Sequence, residues 1–292
     1  MIDKKIIVGI GEMLWDVFPE GKQLGGAPVN FAYHCGQLGG LSYPVSCIGT
    51  DKLGNEIKTV LNTLDVNASF VATDSVHPTG TVQVTLNKGK PSYEICEGVA
   101  WDNIPHSEKL MELARKSDAV CFGSLAQRND VSRAAIHAFL NAMRLDSLKI
   151  FDVNLRQTFF SKEVIEKSLQ LCNILKLSDE ELPVLAEMFG LAGSELEQLE
   201  QLRAKFWLQL IAYTRGPDGS LLLTADEAGD HPGCPGKAVD SVGAGDSFTA
   251  TLCMGLLNKK PLNKINDHAN RVGTFVCQQA GATPIFPANL IY

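Results

Sequence analysis

The sequence lacks what a membrane, a nucleic acid or an oxidising compartment would ask of it. No apolar run approaches the roughly 20 residues that cross a bilayer. The run that follows Met1-Ile2-Asp3-Lys4-Lys5 is too short for the core of a secretory leader. A cytoplasmic protein without a membrane partner is expected. Basic residues are in the minority, 26 Lys and Arg against 33 Asp and Glu, giving a net charge of −7 and a pI of about 5.4. That balance argues against a nucleic-acid groove or an anionic lipid surface as the main partner. Any anionic ligand must be held by local dipoles and a few cations. Cysteine is plentiful but unpaired in sequence: none of the eight lies two to four residues from another, so no zinc-ligand pair is visible. Several sit in apolar runs, such as Cys121 in Ala-Val-Cys-Phe-Gly, and read as reduced, buried thiols.

What is present is a globular composition. The chain has 292 residues, of which 45% are hydrophobic and 20% charged. That is enough to bury a large core in one α/β domain or in two smaller ones. There is no internal repeat and no low-complexity segment. The charged stretch Ser194 to Lys205 reads as a solvated helix or loop.

The chain is organised around Asp240-Ser241-Val242-Gly243-Ala244-Gly245-Asp246, which runs into a helix-like stretch ending at Leu257. Small residues let a backbone come close to a ligand. A helix N-terminus offers free N–H groups and partial positive charge, which suit phosphate. A carboxylate at such a site is poorly placed to bind an anion and well placed to act as a base. The local alternative is a glycine-rich helix entry with Asp246 as its N-cap.

Earlier in the chain, Lys5 to Gly11 predicts a buried strand. Gly9 and Gly11 suggest a dinucleotide fingerprint, but its third glycine would fall on Leu14, and Trp15-Asp16-Val17-Phe18 alternates like a strand. A nicotinamide-dependent oxidoreductase is therefore disfavoured. Asp16 alone reads as an outward polar residue. Gly25-Gly26-Ala27-Pro28-Val29-Asn30 opens a helix that Gly39-Gly40 ends. Asn30 there either offers its amide to a hydroxyl or bonds the backbone. Thr79 to Leu86, a turn at Lys88-Gly89-Lys90 and Ser92 to Cys96 predict a hairpin with one polar face. From Ser107 onward strands and helices alternate, which predicts a mainly parallel sheet covered on both faces.

Ligands in such folds sit at the carboxyl ends of strands. Four polar clusters fall there: Asp152-Val153-Asn154-Leu155-Arg156, Ser178-Asp179-Glu180-Glu181, Thr214-Arg215-Gly216, and Asp240 to Asp246 after the strand-like Lys237-Ala238-Val239. Each has a bland reading; Ser178 with Glu181, for example, fits a capping box. Together they supply anion donors, cations and carboxylates, the inventory of phosphoryl transfer. No Walker A motif is present: five residues before the glycines that precede Lys22, Lys90 and Lys237 stand Asp16, Val84 and His231.

Along nearly its whole length the chain resembles the ribokinase/PfkB family of sugar kinases. Gly25 to Asn30 is similar to that family's first signature. Asp240 to Asp246 is similar to its second, Asp-Thr-x-Gly-Ala-Gly-Asp, with Ser241 for threonine. Gly11 to Asp16, Asp152 to Arg156 and Leu175 to Glu181 look most like the bacterial fructokinases. The resemblance implies a ribokinase-like α/β fold, a single kinase domain over residues 1–292 with a small β-sheet lid from about residues 12–25 and 78–101. It implies ATP-dependent phosphorylation of a small sugar, most similar to fructokinase activity. Other acceptors in the family are 2-keto-3-deoxygluconate, ribose and nucleosides, and a non-catalytic sugar-binding protein could keep the fold. Asp246 would be the base, with Gly243, Ala244 and Gly245 as the anion hole. Asp16, Gly26, Asn30 and Arg156 would hold the sugar. Thr214 and Gly216 would touch nucleotide phosphates, and Asn270 would lie beside the adenine. Glu181 would organise magnesium through water, although Ser178 replaces the asparagine of the family's Asn-x-x-Glu. Carbonyls of Asp240, Val242 and Gly281 match a potassium site, whose serine ligand falls here on Ile285. The lid could pair two subunits into a homodimer.

Overall fold

The alternation of side chains in Ile6-Ile7-Val8-Gly9-Ile10 decides the architecture. Ile7 and Val8 are both fully buried yet belong to two different apolar clusters. A strand with both faces buried must lie inside a sheet covered on both sides. The computed structural model describes residues 4–19, 21–87 and 90–291. The first half comprises β1 (Ile6–Ile10), β2 (Leu14–Phe18), β3 (Gly21–Gly25), α1 (Ala27–Gln37), β4 (Leu41–Gly49), α2 (Lys52–Thr63), β5 (Val71–Asp74), β6 (Gly80–Asn87) and β7 (Lys90–Ile95). Then come α3 (Glu108–Lys116), β8 (Ala119–Phe122), α4 (Asp130–Ala142), β9 (Leu148–Asp152), α5 (Lys162–Leu171), β10 (Ile174–Ser178), α6 (Leu182–Phe189) and α7 (Glu195–Phe206). The chain closes with β11 (Leu210–Thr214), β12 (Ser220–Leu223), β13 (Ala228–His231), α8 (Ala244–Leu257) and α9 (Leu262–Cys277).

Among the described residues the large sheet runs β13-β12-β11-β10-β9-β8-β1-β4-β5. Its strands pair in parallel from β11 through to β5, and β12 and β13 add an antiparallel edge. Val8, Phe122, Phe139, Ile165, Leu185 and Leu202 bury one face under α4 to α7. Ile7, Phe31, Phe248, Leu252, Ile265 and Val272 bury the other under α1, α8 and α9. The parallel strands all end on one edge, so Asp152, Ser178 and Thr214 arrive there together.

A smaller sheet, β3-β2-β6-β7, stands beside the first. Its strands fall in the two stretches expected of a lid; Lys88 and Gly89 of the expected turn lie outside the described residues. Met13, Trp15, Val29, Ile48, Ile57 and Leu61 form a separate apolar cluster that joins it to α1 and α2. Asp51 fixes its base. That carboxylate caps α2 through the Gly54 amide (2.8 Å) and accepts from both the Thr79 amide (2.8 Å) and hydroxyl (2.6 Å). Asp51→Ala should cost about 1–2 kcal/mol, the size of a lost N-cap. A urea titration with an unchanged midpoint would contradict that.

Several expectations are corrected. Lys237-Ala238-Val239 is not a strand; the amides of Val239 and Asp240 both bond the Cys277 carbonyl (2.7 and 3.1 Å). Pro232, Gly233, Pro235 and Gly236 keep that stretch out of the sheet. The Ser194 to Lys205 stretch is a capped helix, α7, whose Leu199 and Leu202 are fully buried. Leu199 and Leu202 stand among Glu197, Gln198, Glu200, Gln201 and Arg203, and that polar majority hid them. Ser178 caps no helix: α6 starts at Leu182, with Pro183 in its first turn, and only the Glu181-to-Ser178 half of the expected box is formed. Cys96, Cys234 and Cys277 are only partly buried, whereas the other five cysteines are buried thiols; none is paired. Among the described residues no helix is long and apolar enough to cross a membrane.

Candidate active site

The Asp240 to Asp246 segment turns into α8 through Gly243, whose φ of 79° is left-handed. A Cβ at Gly243 would come within 2.7–2.8 Å of Ala282, so both backbone angle and space require glycine. The helix begins at Ala244, which puts Asp246 inside its first turn and not at the N-cap. Among the described residues the amides of Gly245 and Asp246 bond no backbone carbonyl. They are free donors at the positive end of a 14-residue helix.

Asp246 Oδ2 accepts from Asn30 Nδ2 at 2.8 Å. Asn30 lies in the first turn of α1, where Pro28 fixes the helix entry and Gly26 (φ 119°) caps it. The Asn30 amide thus meets a carboxylate, which is neither the hydroxyl nor the backbone partner expected from the sequence. Burial pushes the Asp246 carboxyl above its ordinary range, and the Asn30 hydrogen bond and the charges of Lys176 and Arg156 oppose it. A raised proton affinity is what a general base needs.

Asp16 lies in the middle of β2, packed so close to Gly25 that a Cβ there would sit 2.3 Å from its carboxylate. Burial raises it to about 6, against the attraction of Arg156. Arg156 is exposed, and its guanidinium donates to its neighbour's carbonyl, Leu155, at 3.0 Å. Its charge reaches Asp16 and Asp246. Gly26, Asn30, Asp16, Arg156 and Asp246 thus border one region.

Two residues at this site carried no role in the sequence reading. Lys176, on β10, pairs with Asp152 at 3.0 Å, both almost wholly buried. Its Nζ would meet a Gly245 Cβ at 3.3 Å, directly behind the free amides. Burial alone would pull the lysine down, but Asp152, Glu181 and Asp246 outweigh it and hold it charged. Its sequence signal was a lysine in Ile-Leu-Lys-Leu, a strand expected to be buried on both faces. The second is Glu12, only 3% exposed, between β1 and β2.

Glu181 bridges two strand-end loops: Oε1 accepts from the Leu155 amide (2.9 Å) and Oε2 from the Ser178 amide (2.8 Å). Each oxygen keeps a lone pair, so the residue fits a magnesium contact through water. No cluster of three metal-binding side chains exists among the described residues. Thr214 ends β11 and Gly216 follows in a left-handed turn (φ 55°). Asn270 is buried on α9, where its amide donates to Ser220 Oγ (2.8 Å) and the Asn266 carbonyl (2.8 Å). These bonds fix the orientation of the Asn270 amide. The three residues named for a cation are tied together: Asp240 accepts from the Val242 amide (3.0 Å) and the Gly281 amide (3.1 Å).

A parallel sheet that brings a helix N-terminus, a half-buried carboxylate and several polar loops to one edge has the ribokinase-like architecture of carbohydrate kinases. The chain belongs to the pfkB family of carbohydrate kinases, whose model matches residues 13–289. An uncharacterized sugar kinase of Pyrococcus horikoshii is 30% identical over 95% of this chain and 91% of that protein. Its structure in complex with ATP aligns with a TM-score of 0.80, 28% identity, and 95% and 94% of the two chains. The Escherichia coli fructokinase is 27% identical over 95% of each chain. A double mutant of the Vibrio cholerae O395 fructokinase, solved with fructose, ADP and potassium ion, aligns with a TM-score of 0.82 at 26% identity, covering 98% and 97%.

Proposed function

We propose that this carbohydrate kinase transfers the γ-phosphoryl group of ATP to a primary hydroxyl of a small sugar, with fructose as the acceptor. The observation that carries the reading is Asp246. It is half-buried, oriented by Asn30, and stands in the first turn of α8, where its own amide and that of Gly245 bond no backbone carbonyl among the described residues. Asp16, Gly26, Asn30 and Arg156 hold the sugar so that its hydroxyl faces the Asp246 carboxylate. The carboxylate takes the hydroxyl proton as the oxygen attacks phosphorus. The bond from phosphorus to the bridging oxygen breaks, and ADP leaves with that oxygen. The Gly243-Ala244-Gly245 turn donates the Gly245 N–H, with that of Asp246 beside it, to the equatorial oxygens, where charge is spread in the transition state, while the Ala244 N–H is taken by the Ser241 carbonyl at 3.3 Å. Thr214 and Gly216 face the remaining phosphates, and Asn270 lies toward the adenine.

Magnesium, held at Glu181 through water, neutralises phosphate charge when bound. The linked Asp240, Val242 and Gly281 segments offer carbonyls to a monovalent cation beside the anion hole. Fructose is supported by the fructokinases among the relatives and by the fructose in the Vibrio cholerae complex. ATP is supported by the nucleotide in the Pyrococcus complex.

The test is ATP consumption with magnesium, with and without potassium, across fructose, ribose, 2-keto-3-deoxygluconate, glucose and adenosine. A selective response to fructose is expected. Selective turnover of another acceptor would overturn the substrate and leave the mechanism. Sugar binding without turnover would indicate a binding protein that keeps the fold.

A further inference from the structure

Helix α1 turns a polar stripe toward the rest of the chain. Asn30, His34 and Gln37 fall on successive turns of one face. Asn30 and His34 are buried and Gln37 partly so. Each meets a piece of chain from the far end of the sequence. Asn30 meets Asp246. His34 Nε2 bonds the Ala282 carbonyl at 2.9 Å. A carbonyl can only accept, so Nε2 carries the proton. Gln37 grips the residues just beyond. Its Nε2 donates to the Pro284 carbonyl (2.9 Å), and its Oε1 accepts from the Phe286 amide (2.8 Å). The His34 ring also stacks on Phe286, with centroids 5.0 Å apart and planes within 7° of parallel.

Ala282 is in turn the residue on which the glycine turn before α8 rests. A Cβ at Gly243 would lie 2.7 Å from the Ala282 carbonyl oxygen and 2.8 Å from its Cα and Cβ. The carbonyl that His34 holds is thus the one that Gly243 packs on. Among the described residues no backbone amide bonds that carbonyl, so His34 is the donor that fixes it. The chain enters α8 at Gly243, and the place of Gly243 sets the place of the Gly245 and Asp246 amides.

Packing alone does not account for a histidine here. Nδ1 is buried without a hydrogen-bond partner, a cost that a leucine would not carry. Burial pulls the imidazole down to about 4, against the Ala282 bond, so the ring is neutral and gains no ion pair in return. What it supplies is one donor and one flat face, and both act on the 282–286 segment.

We propose that His34 is a positioning residue for phosphoryl transfer: by holding the Ala282 carbonyl it fixes the Gly243 turn, and with it the amides that meet the transferring group. This rests on the reading of that turn as the anion hole. One helix then sets both halves of the site, the base through Asn30 and the hole through His34.

The experiment compares His34→Leu, His34→Gln and Gln37→Ala with the parent. It uses melting, steady-state kinetics with ATP and fructose, and calorimetric titration of ADP, alone and with fructose and aluminium fluoride. The fluoride complex takes the place of the phosphoryl group in flight and needs the hole, whereas ADP alone does not. The parent should bind ADP at least roughly 100-fold more tightly with both additions, as a transition-state mimic does. His34→Leu fills the space without a donor. It should lose roughly 10- to 100-fold in kcat and in that gain, the scale of a misplaced reacting group, with KM for fructose and the affinity for ADP alone unchanged. His34→Gln brings an amide N–H close to the position of Nε2 and should recover most of the loss. Gln37→Ala loosens the same segment from a partly exposed position and should show the same selective loss on a smaller scale. Unchanged turnover and unchanged gain in His34→Leu and Gln37→Ala would overturn the proposal, even if melting falls, since that is a structural role only. So would losses in His34→Gln as large as those in His34→Leu, since the donor would then not be the cause. A parent that gains nothing from fructose and aluminium fluoride would overturn the anion hole and, with it, what His34 is said to position.

Discussion

Asp246→Asn should bind ATP and sugar as the parent does and lose turnover by at least roughly 10²–10⁴-fold, the range of general-base assistance. The substitution keeps size and polarity, and the amide can still meet Asn30. It removes the proton acceptor. The effect belongs in kcat and not in KM, because the contact matters when the proton moves. Calorimetric titration with sugar separates binding from chemistry. The parent's own pH profile is a companion test. Burial raises the Asp246 carboxyl, so the base ionises only above the ordinary aspartate range, near 3.9. The acid limb of kcat/KM should therefore fall at a pH higher than that value. An inflection at or below it would contradict the assigned environment.

The second large effect concerns stability. Lys176→Met should cost about 3–5 kcal/mol, the usual result of removing one partner of a buried ion pair. The methionine fills similar space, so the loss is electrostatic. It leaves Asp152 uncompensated, with Glu181 and Asp246 already pressing on it and its carboxyl at about 6 even in the intact pair. Thr249 Oγ1, at 3.4 Å from Asp152 Oδ2, is a weak substitute. Adding Asp152→Asn should return much of the stability, since two neutral groups need no counter-charge. Urea unfolding of the single and double variants measures both. A loss under about 1 kcal/mol in Lys176→Met would mean that the pair is more hydrated than its burial indicates.

The elements with a strong periodic signal were legible in the sequence. The strand and helix order from Ser107 to Phe189 follows from apolar spacing and short glycine or proline breaks. The two glycine-rich turns lie at the helix starts expected of them, and Asn30 and Asp246 meet across 216 positions of sequence. Neither spacing nor propensity predicts such a meeting; it depends on α1 and α8 packing side by side against one sheet face. Short edge strands such as β5 and β13 were not legible, because four residues carry too little pattern. Glu12 and Lys176 went unassigned for a different reason. Each is a charge set in an apolar stretch, and sequence alone does not show what neutralises it. The partner of Lys176 lies 24 residues away on the next strand.

The central claim, that this site moves phosphate from ATP to a sugar hydroxyl, is tested most directly by following γ-labelled ATP incubated with magnesium, fructose and the purified protein. The label is predicted to appear in a hexose monophosphate and to remain in ATP when Asp246→Asn replaces the parent. Label released only as inorganic phosphate, or retained in ATP with the parent protein despite bound fructose, would contradict it.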